Sequence, residues 1–264
     1  MSLMKIISEQ KIHDSIDDAK QFLQDNDIDL EDANLEYYVG SGFFADVYKV
    51  KNKNKAIKFY NPTGTDEQGL YENDKYDIII KHSNKLDNVC NVYLNREIGS
   101  SGIYIAVMDF LEDESPINKM DQDLYSFISH LEPNYLQYKE FGDGKDIKKN
   151  IKKTISLYVD NANDETTDDV KQILKPFIEM YGNDKEFISI IFYIFSEYTL
   201  PNSGGNNRPF EKSVHELTTN EKYFRDIFKG IREYEMMGIE HGDIHTKNIL
   251  FDPKQNNYKL IDPI

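Results

Sequence analysis

Near residue 111 the spacing of apolar residues changes, and the change divides the chain into a strand-like part and a helical part. LEYYVGSG (35–42), DVYKV (46–50) and KAIKFY (55–60) are short runs rich in aromatic and β-branched residues, and the polar KNKN separates the last two. Runs of this kind bounded by turn residues predict strands. A helix is expected over about 66–82, carrying Leu70, Tyr71, Ile78 and Ile79. Two more strands fit NVCNVYLN (88–95) and GIYIAVMDF (102–110), either side of a Gly/Ser turn at 99–102. Beyond Leu111 the apolar period predicts helices over about 121–131, 147–160, 167–181, 185–198 and 220–237. TLPNSGGNNRPF (199–210) has the punctuation of a loop, and Thr218 and Glu221 stand at capping-box spacing before the last helix. FISIIFYIF (187–195) is apolar on every side but too short to span a membrane, so a buried helix is expected. DSIDDAKQFLQDN (14–26) has the pattern of a capped amphipathic helix within an acidic start. The order predicts an α+β fold with no internal repeat. A helical extension occupies 1–34, a small antiparallel sheet with one helix 35–111, and a helical region 112–264.

Composition narrows the setting. The 264 residues are 39% hydrophobic and 30% charged, ordinary for a soluble globular protein. A formal net charge of −16 argues against nucleic acid or an anionic membrane as partner, since both need clustered Lys and Arg. The one basic run, KDIKKNIKK (145–153), reads as the solvated face of a helix. The single Cys90 excludes an internal disulfide framework. The start of the chain turns polar too early for a signal peptide, so a cytoplasmic location is expected.

Three stretches carry candidate chemistry. In VGSGFFADVYKV, Gly40 and Gly42 fall at a strand-to-strand turn where backbone N–H groups could approach phosphates; a plain hairpin turn is the alternative. Lys58 lies among apolar residues on a strand and needs a phosphate or carboxylate partner. Glu67, Glu72 and Asp77 on the following helix are the candidates, with Glu72 fitting best. In HGDIHTKNIL (241–250), Asp243 is followed by Asn248 and, across a predicted hairpin of NILF and YKLI, by Asp262. Phosphoryl transfer needs an acceptor hydroxyl held in line and Mg²⁺ to gather phosphate oxygens. Asp243 can take or orient the hydroxyl proton, and Asn248 and Asp262 offer hard oxygen ligands.

These motifs, in this order, resemble the protein-kinase-like superfamily, which includes eukaryotic-type protein kinases and aminoglycoside/choline-type phosphotransferases. The resemblance covers about 35–131 and 213–263 and implies a bilobal fold, with ATP and Mg²⁺ bound between the lobes. It implies that Gly40, Ser41, Gly42, Ala45 and Val47 cover the nucleotide, with Ala56, Leu250 and Ile261 lining its site. Lys58, paired with Glu72, would bind phosphates, and Met108, Asp109, Phe110 and Leu111 would form the hinge that receives the adenine. Asp243 becomes the catalytic base, and Asn248 and Asp262 the metal ligands. His245 stands where protein kinases carry a γ-phosphate lysine.

The chain also departs from the pattern. Ala45 replaces the third glycine, Gly242 the usual arginine of His-Arg-Asp, and Pro263 the Phe-Gly after the metal aspartate. His-Gly-Asp-x-His is closer to the small-molecule branch, and a long insert at about 132–212 is shared with it. The sequence stops two residues after Asp262, so either it is a fragment or the inserted helices replace the later ones, with a partner completing the C-lobe as a third alternative. The acceptor is a protein Ser/Thr, marginally favoured, or a small alcohol. A nucleotide-binding pseudokinase or scaffold is the reading from another class.

Overall fold

Ile57, Phe59, Ile105 and Val107 point to one side of a sheet, and Ala56, Tyr60, Ala106 and Met108 to the other, as the period of two along a strand requires. The computed structural model describes residues 38–41, 45–50, 54–62, 69–98, 102–117, 122–141, 164–198 and 208–264. Its first part is an antiparallel sheet of β1 (Tyr38–Ser41), β2 (Ala45–Lys49), β3 (Lys55–Tyr60), β4 (Val92–Glu97) and β5 (Tyr104–Asp109), in the order β1-β2-β3-β5-β4. One face closes on itself through Val50, Ile98 and Ile103. The other joins the main core. Lys58 falls opposite Val47 on β2 and Ala106 on β5, and by the strand period it shares the inner face with Ala56 and Tyr60.

Helix α1 (Glu72–His82) covers that inner face, presenting a stripe of Glu72, Lys75, Tyr76 and Ile79 at helical spacing. It begins later than the apolar pattern suggests. Gly69 adopts a left-handed φ of 79°, and Asp74 in the first turn accepts the Tyr71 N–H at 3.0 Å, which fixes the start at Glu72.

The second part is helical: α2 (Gln122–Ser129), α3 (Leu131–Phe141), α4 (Asp164–Tyr181), α5 (Lys185–Tyr198), α6 (Arg208–Thr219) and α7 (Glu221–Met237). The antiparallel hairpin β6 (Ile249–Asp252) and β7 (Asn257–Leu260) follows. The chain is thus mixed α+β. As its composition predicts, residues 187–192 of α5 are buried, with Phe187, Ile190, Ile191 and Phe192 each at most 2% exposed. Among the described residues no helix is long and apolar enough to cross a membrane.

Several expectations are corrected. The single helix over 121–131 is two helices broken at His130, and the second runs on to Phe141. Residues 208–210 are not loop but the first turn of α6: Pro209 has no N–H to donate, which a first turn does not need. Thr218 does not cap α7. Its hydroxyl donates back to Val214 and His215 carbonyls within α6, and Asn220 takes the N-cap position. The extension at 1–34 with its helix at 14–26, the helix at 147–160, the basic run at 145–153 and loop residues 199–207 lie outside the described residues.

Gly230 shows how closely α7 approaches the hairpin. A Cβ there would lie 2.9 Å from both the Asn88 carbonyl oxygen and Leu260 Cδ1. Gly→Ala inside a helix ordinarily stabilises by about 1 kcal/mol, but overpacking costs about 1–3 kcal/mol. Gly230→Ala is therefore expected to destabilise, and a urea midpoint at or above that of the parent chain would refute this packing.

Candidate functional site

An ammonium held inside a sheet needs anionic neighbours, and α1 and the end of the hairpin supply them. Lys58 is 4% exposed. Its Nζ lies 2.6 Å from Glu72 Oε1 and 2.9 Å from Asp262 Oδ1, and donates to the Tyr76 hydroxyl at 3.1 Å. Burial pulls the Lys58 pKa down, but Asp262 and Glu72 more than offset this and hold it above the ordinary value. Burial likewise opposes the charge on Asp262, yet Lys58 and Tyr76 keep its carboxyl below the usual range. Of the three candidate partners for Lys58, Glu72 is the one in place. Asp77 accepts from Asn95 Nδ2 at 2.9 Å instead, and Glu67 lies outside the described residues.

Asp262 reaches the cluster through its backbone. Its φ of 56° is left-handed, an uncommon state for a residue with a side chain. Two β-bonded neighbours fix the approach: the Ile261 N–H donates to the Asn248 carbonyl at 3.0 Å, and β6 and β7 pair Ile249 with Leu260. Asn248 and Asp262 are thereby neighbours, as the predicted hairpin requires.

Loop 241–248 is organised around Asp243. Asn248 Nδ2 donates to the Asp243 carbonyl at 3.0 Å and to its Oδ2 at 3.2 Å. His245 Nδ1 accepts the Lys247 N–H at 3.1 Å, so in the neutral ring Nε2 carries the proton and meets Asp243 Oδ2 at 3.2 Å. The imidazole stacks on Tyr125, with centroids 5.6 Å apart and planes at 17°. The hydrogen bond from His245 is the main reason the Asp243 carboxyl titrates below its ordinary range.

A second group of polar residues, unforeseen from sequence, holds this loop to the rest. Glu132 on α3 accepts the N–H groups of His241 at 2.6 Å and Gly242 at 2.9 Å. On the other side Lys75 of α1, fully buried, donates to the carbonyls of Glu240 at 2.7 Å and Ile264 at 2.5 Å. The Ile264 N–H closes the arrangement on the His241 carbonyl at 2.8 Å. This explains Gly242: its φ is 84°, and a Cβ would stand 2.4 Å from the Ile264 carbonyl oxygen. The sequence signal for Lys75 was its place in the apolar stripe of α1; Glu132 had none.

The remaining predicted residues sit as follows. Gly40 and Ser41 are in β1, paired with Val47 and Asp46; Gly42 is outside the described residues. Ala45, Val47, Leu250 and Ile261 are half-buried, and Ala56, Met108 and Leu111 are buried in the same core. Asp109 is used structurally: it accepts from Lys55, Tyr93 and Asn91 at 2.8–2.9 Å, and its own N–H bonds the Asn91 carbonyl. The Phe110 N–H bonds the Asn54 carbonyl at 3.2 Å, and Lys49 lies 3.9 Å over the Phe110 ring.

Among the described residues no three His, Cys, Asp or Glu side chains cluster as a protein cage for a metal. The donors present are Asp262 and the amide oxygen of Asn248, whose nitrogen is committed to Asp243. Two hard oxygens, one just before β6 and one just after β7, suit a cation such as Mg²⁺ that keeps waters and takes the rest of its shell from phosphates.

Two consequences are measurable. Gly242→Ala is expected to cost about 2 kcal/mol or more, from the left-handed φ and the clash with Ile264; a cost under half that in denaturant unfolding would refute the close approach. Burial also pushes the His241 imidazole down to about 4. The unfolded chain takes up this proton near pH 6.5 and the native one does not, so stability is lost as pH falls from 6.5 towards 4, by on the order of 3 kcal/mol. Glu132 and Glu233, raised by burial, act with the opposite sign. Comparing urea midpoints with those of His241→Asn isolates the term: the variant should lose less stability between pH 7 and 5, and equal slopes would refute a neutral buried imidazole. No family model matches the chain, and no curated protein or solved structure matches it significantly.

Proposed function

We propose that the chain is an ATP- and Mg²⁺-dependent phosphotransferase of the protein-kinase-like superfamily, with nucleotide held between the sheet and the helical part. The supporting observation is the meeting of Lys58, Glu72 and Asp262, far apart in sequence, in one ion cluster beside Asn248 and Asp243. These five residues are of the types that phosphoryl transfer would use, and their nearness to one another supports the reading over a scaffold without turnover.

Lys58, kept charged by Glu72, binds the nucleotide phosphates. Asp243 holds the acceptor hydroxyl; as the hydroxyl oxygen bonds to the γ-phosphorus and the bridging oxygen leaves with ADP, the proton passes to Oδ1, since Oδ2 already accepts from Asn248 and His245. Its lowered pKa makes it a weak base, suited to a late proton transfer and to orienting the hydroxyl. His245 fixes the rotamer of Asp243 from the stack on Tyr125. Asn248 and Asp262 would hold Mg²⁺, which supplies neutralisation of phosphate charge. A protein serine or threonine is the first choice of acceptor because the stretch from Gly40 to Tyr60 is so protein-kinase-like in sequence. A small alcohol is favoured by one observation: Gly242 lets the segment after Asp262 lie directly on the loop, where protein kinases carry an arginine.

Titration with ATP, with and without Mg²⁺, followed by calorimetry and thermal shift, tests the reading. A metal-dependent gain is expected, about 2.7 kcal/mol at a hundredfold excess over Kd. Asp262→Ala should abolish the metal dependence, and Asp243→Asn should keep binding but lose turnover on protein or amino-sugar acceptors. Absence of binding at millimolar ATP would overturn the proposal.

A further inference from the structure

The Tyr76 hydroxyl belongs to no motif, yet its partners are two charges of the site. It is 4 residues from Glu72, on the same face of α1, and 1% exposed. Its ring is set edge-on against Tyr60 at 5.4 Å, and the Tyr60 hydroxyl is itself bonded to Asn95 at 2.6 Å. The phenol oxygen is 3.1 Å from Lys58 Nζ and 3.1 Å from Asp262 Oδ1. Chemistry fixes the direction of both bonds. An ammonium can only donate, so the oxygen accepts from Lys58 and its one proton points to Asp262.

Lys58 serves two carboxylates at once, and on nucleotide binding it must also serve phosphates. The contact with Asp262 at 2.9 Å is longer than that with Glu72 at 2.6 Å. When Lys58 turns to phosphates, Asp262 needs another donor to keep its carboxylate in place, and Tyr76 already points at the same oxygen. Resting on the phosphotransferase reading, we propose that Tyr76 is a positioning residue that holds Asp262 Oδ1 and so presents the carboxylate for Mg²⁺. The rigid setting of its ring serves this role: the hydroxyl is delivered from a fixed helix and does not follow the lysine.

Tyr76→Phe tests this, because it removes one oxygen and keeps the ring. ATP dissociation constants are measured by calorimetry without metal and at saturating Mg²⁺, for the parent chain, Tyr76→Phe, Asp262→Asn and the double variant. The expected result is metal-free ATP affinity within about twofold of the parent, with the enhancement by Mg²⁺ reduced about tenfold, the usual cost of losing a group that orients a metal ligand. In the Asp262→Asn background Tyr76→Phe should then add nothing. Unchanged enhancement in Tyr76→Phe, or an equal loss with and without metal, would overturn the role of Tyr76 while leaving the phosphotransferase reading standing. A parent chain with no metal-dependent binding would overturn that reading and this inference with it.

Discussion

Lys58 is charged inside a sheet, and much of the molecule is arranged to make that tolerable. Transfer of an ammonium from water costs several kcal/mol, and removing one partner of a buried pair costs about 3–5 kcal/mol. Glu72 answers from α1, which fixes that helix over the inner face of the sheet, and Asp262 from the chain after β7, which draws the hairpin to the same point. With two carboxylates to one ammonium, the cluster keeps a net negative charge. It is left with electrostatic room for a cation.

A second buried contact stops this cluster from being a local affair. Residues 240–242 have N–H groups held by a carboxylate from α3 and a carbonyl held by an ammonium from α1. The same helix that presents Glu72 to Lys58 therefore also grips the loop preceding Asp243. A shift of α1 along its axis would disturb both contacts together. The Lys58 cluster and the loop that carries Asp243 are mechanically one unit, although strand, helix and loop are remote in sequence.

Sequence pattern was sufficient where structure is local. The strands near 38–60 and 92–109, the hairpin pairing Ile249 with Leu260, and helices α5 and α7 follow from period and turn chemistry. That Lys58 meets Glu72, and that Asn248 meets Asp243 and lies near Asp262, was legible from the order of the motifs and the predicted hairpin. What escaped was either locally ambiguous or non-local. Pro209 reads as a loop breaker unless the helix it opens is known, and Thr218 can cap the next helix or bond back into its own. Glu132 stands 109 positions from the N–H it accepts, and no periodicity joins them. Tyr76 and Tyr125 carry no pattern that separates them from other aromatics in the sequence, and only the direction of a hydroxyl and the tilt of a ring set them apart.

Lys75 donates to main-chain oxygens of residues 240 and 264. A contact made to backbone is blind to residue identity. Ile264 is 54% exposed, so position 264 has latitude to change without loosening the seat of α1. Positions 75, 132 and 242 lack that latitude, since each meets the backbone with the one chemical feature it has: an ammonium, a carboxylate, an absent side chain. The junction thus concentrates its hereditary constraint on three residues and leaves its surroundings open to change.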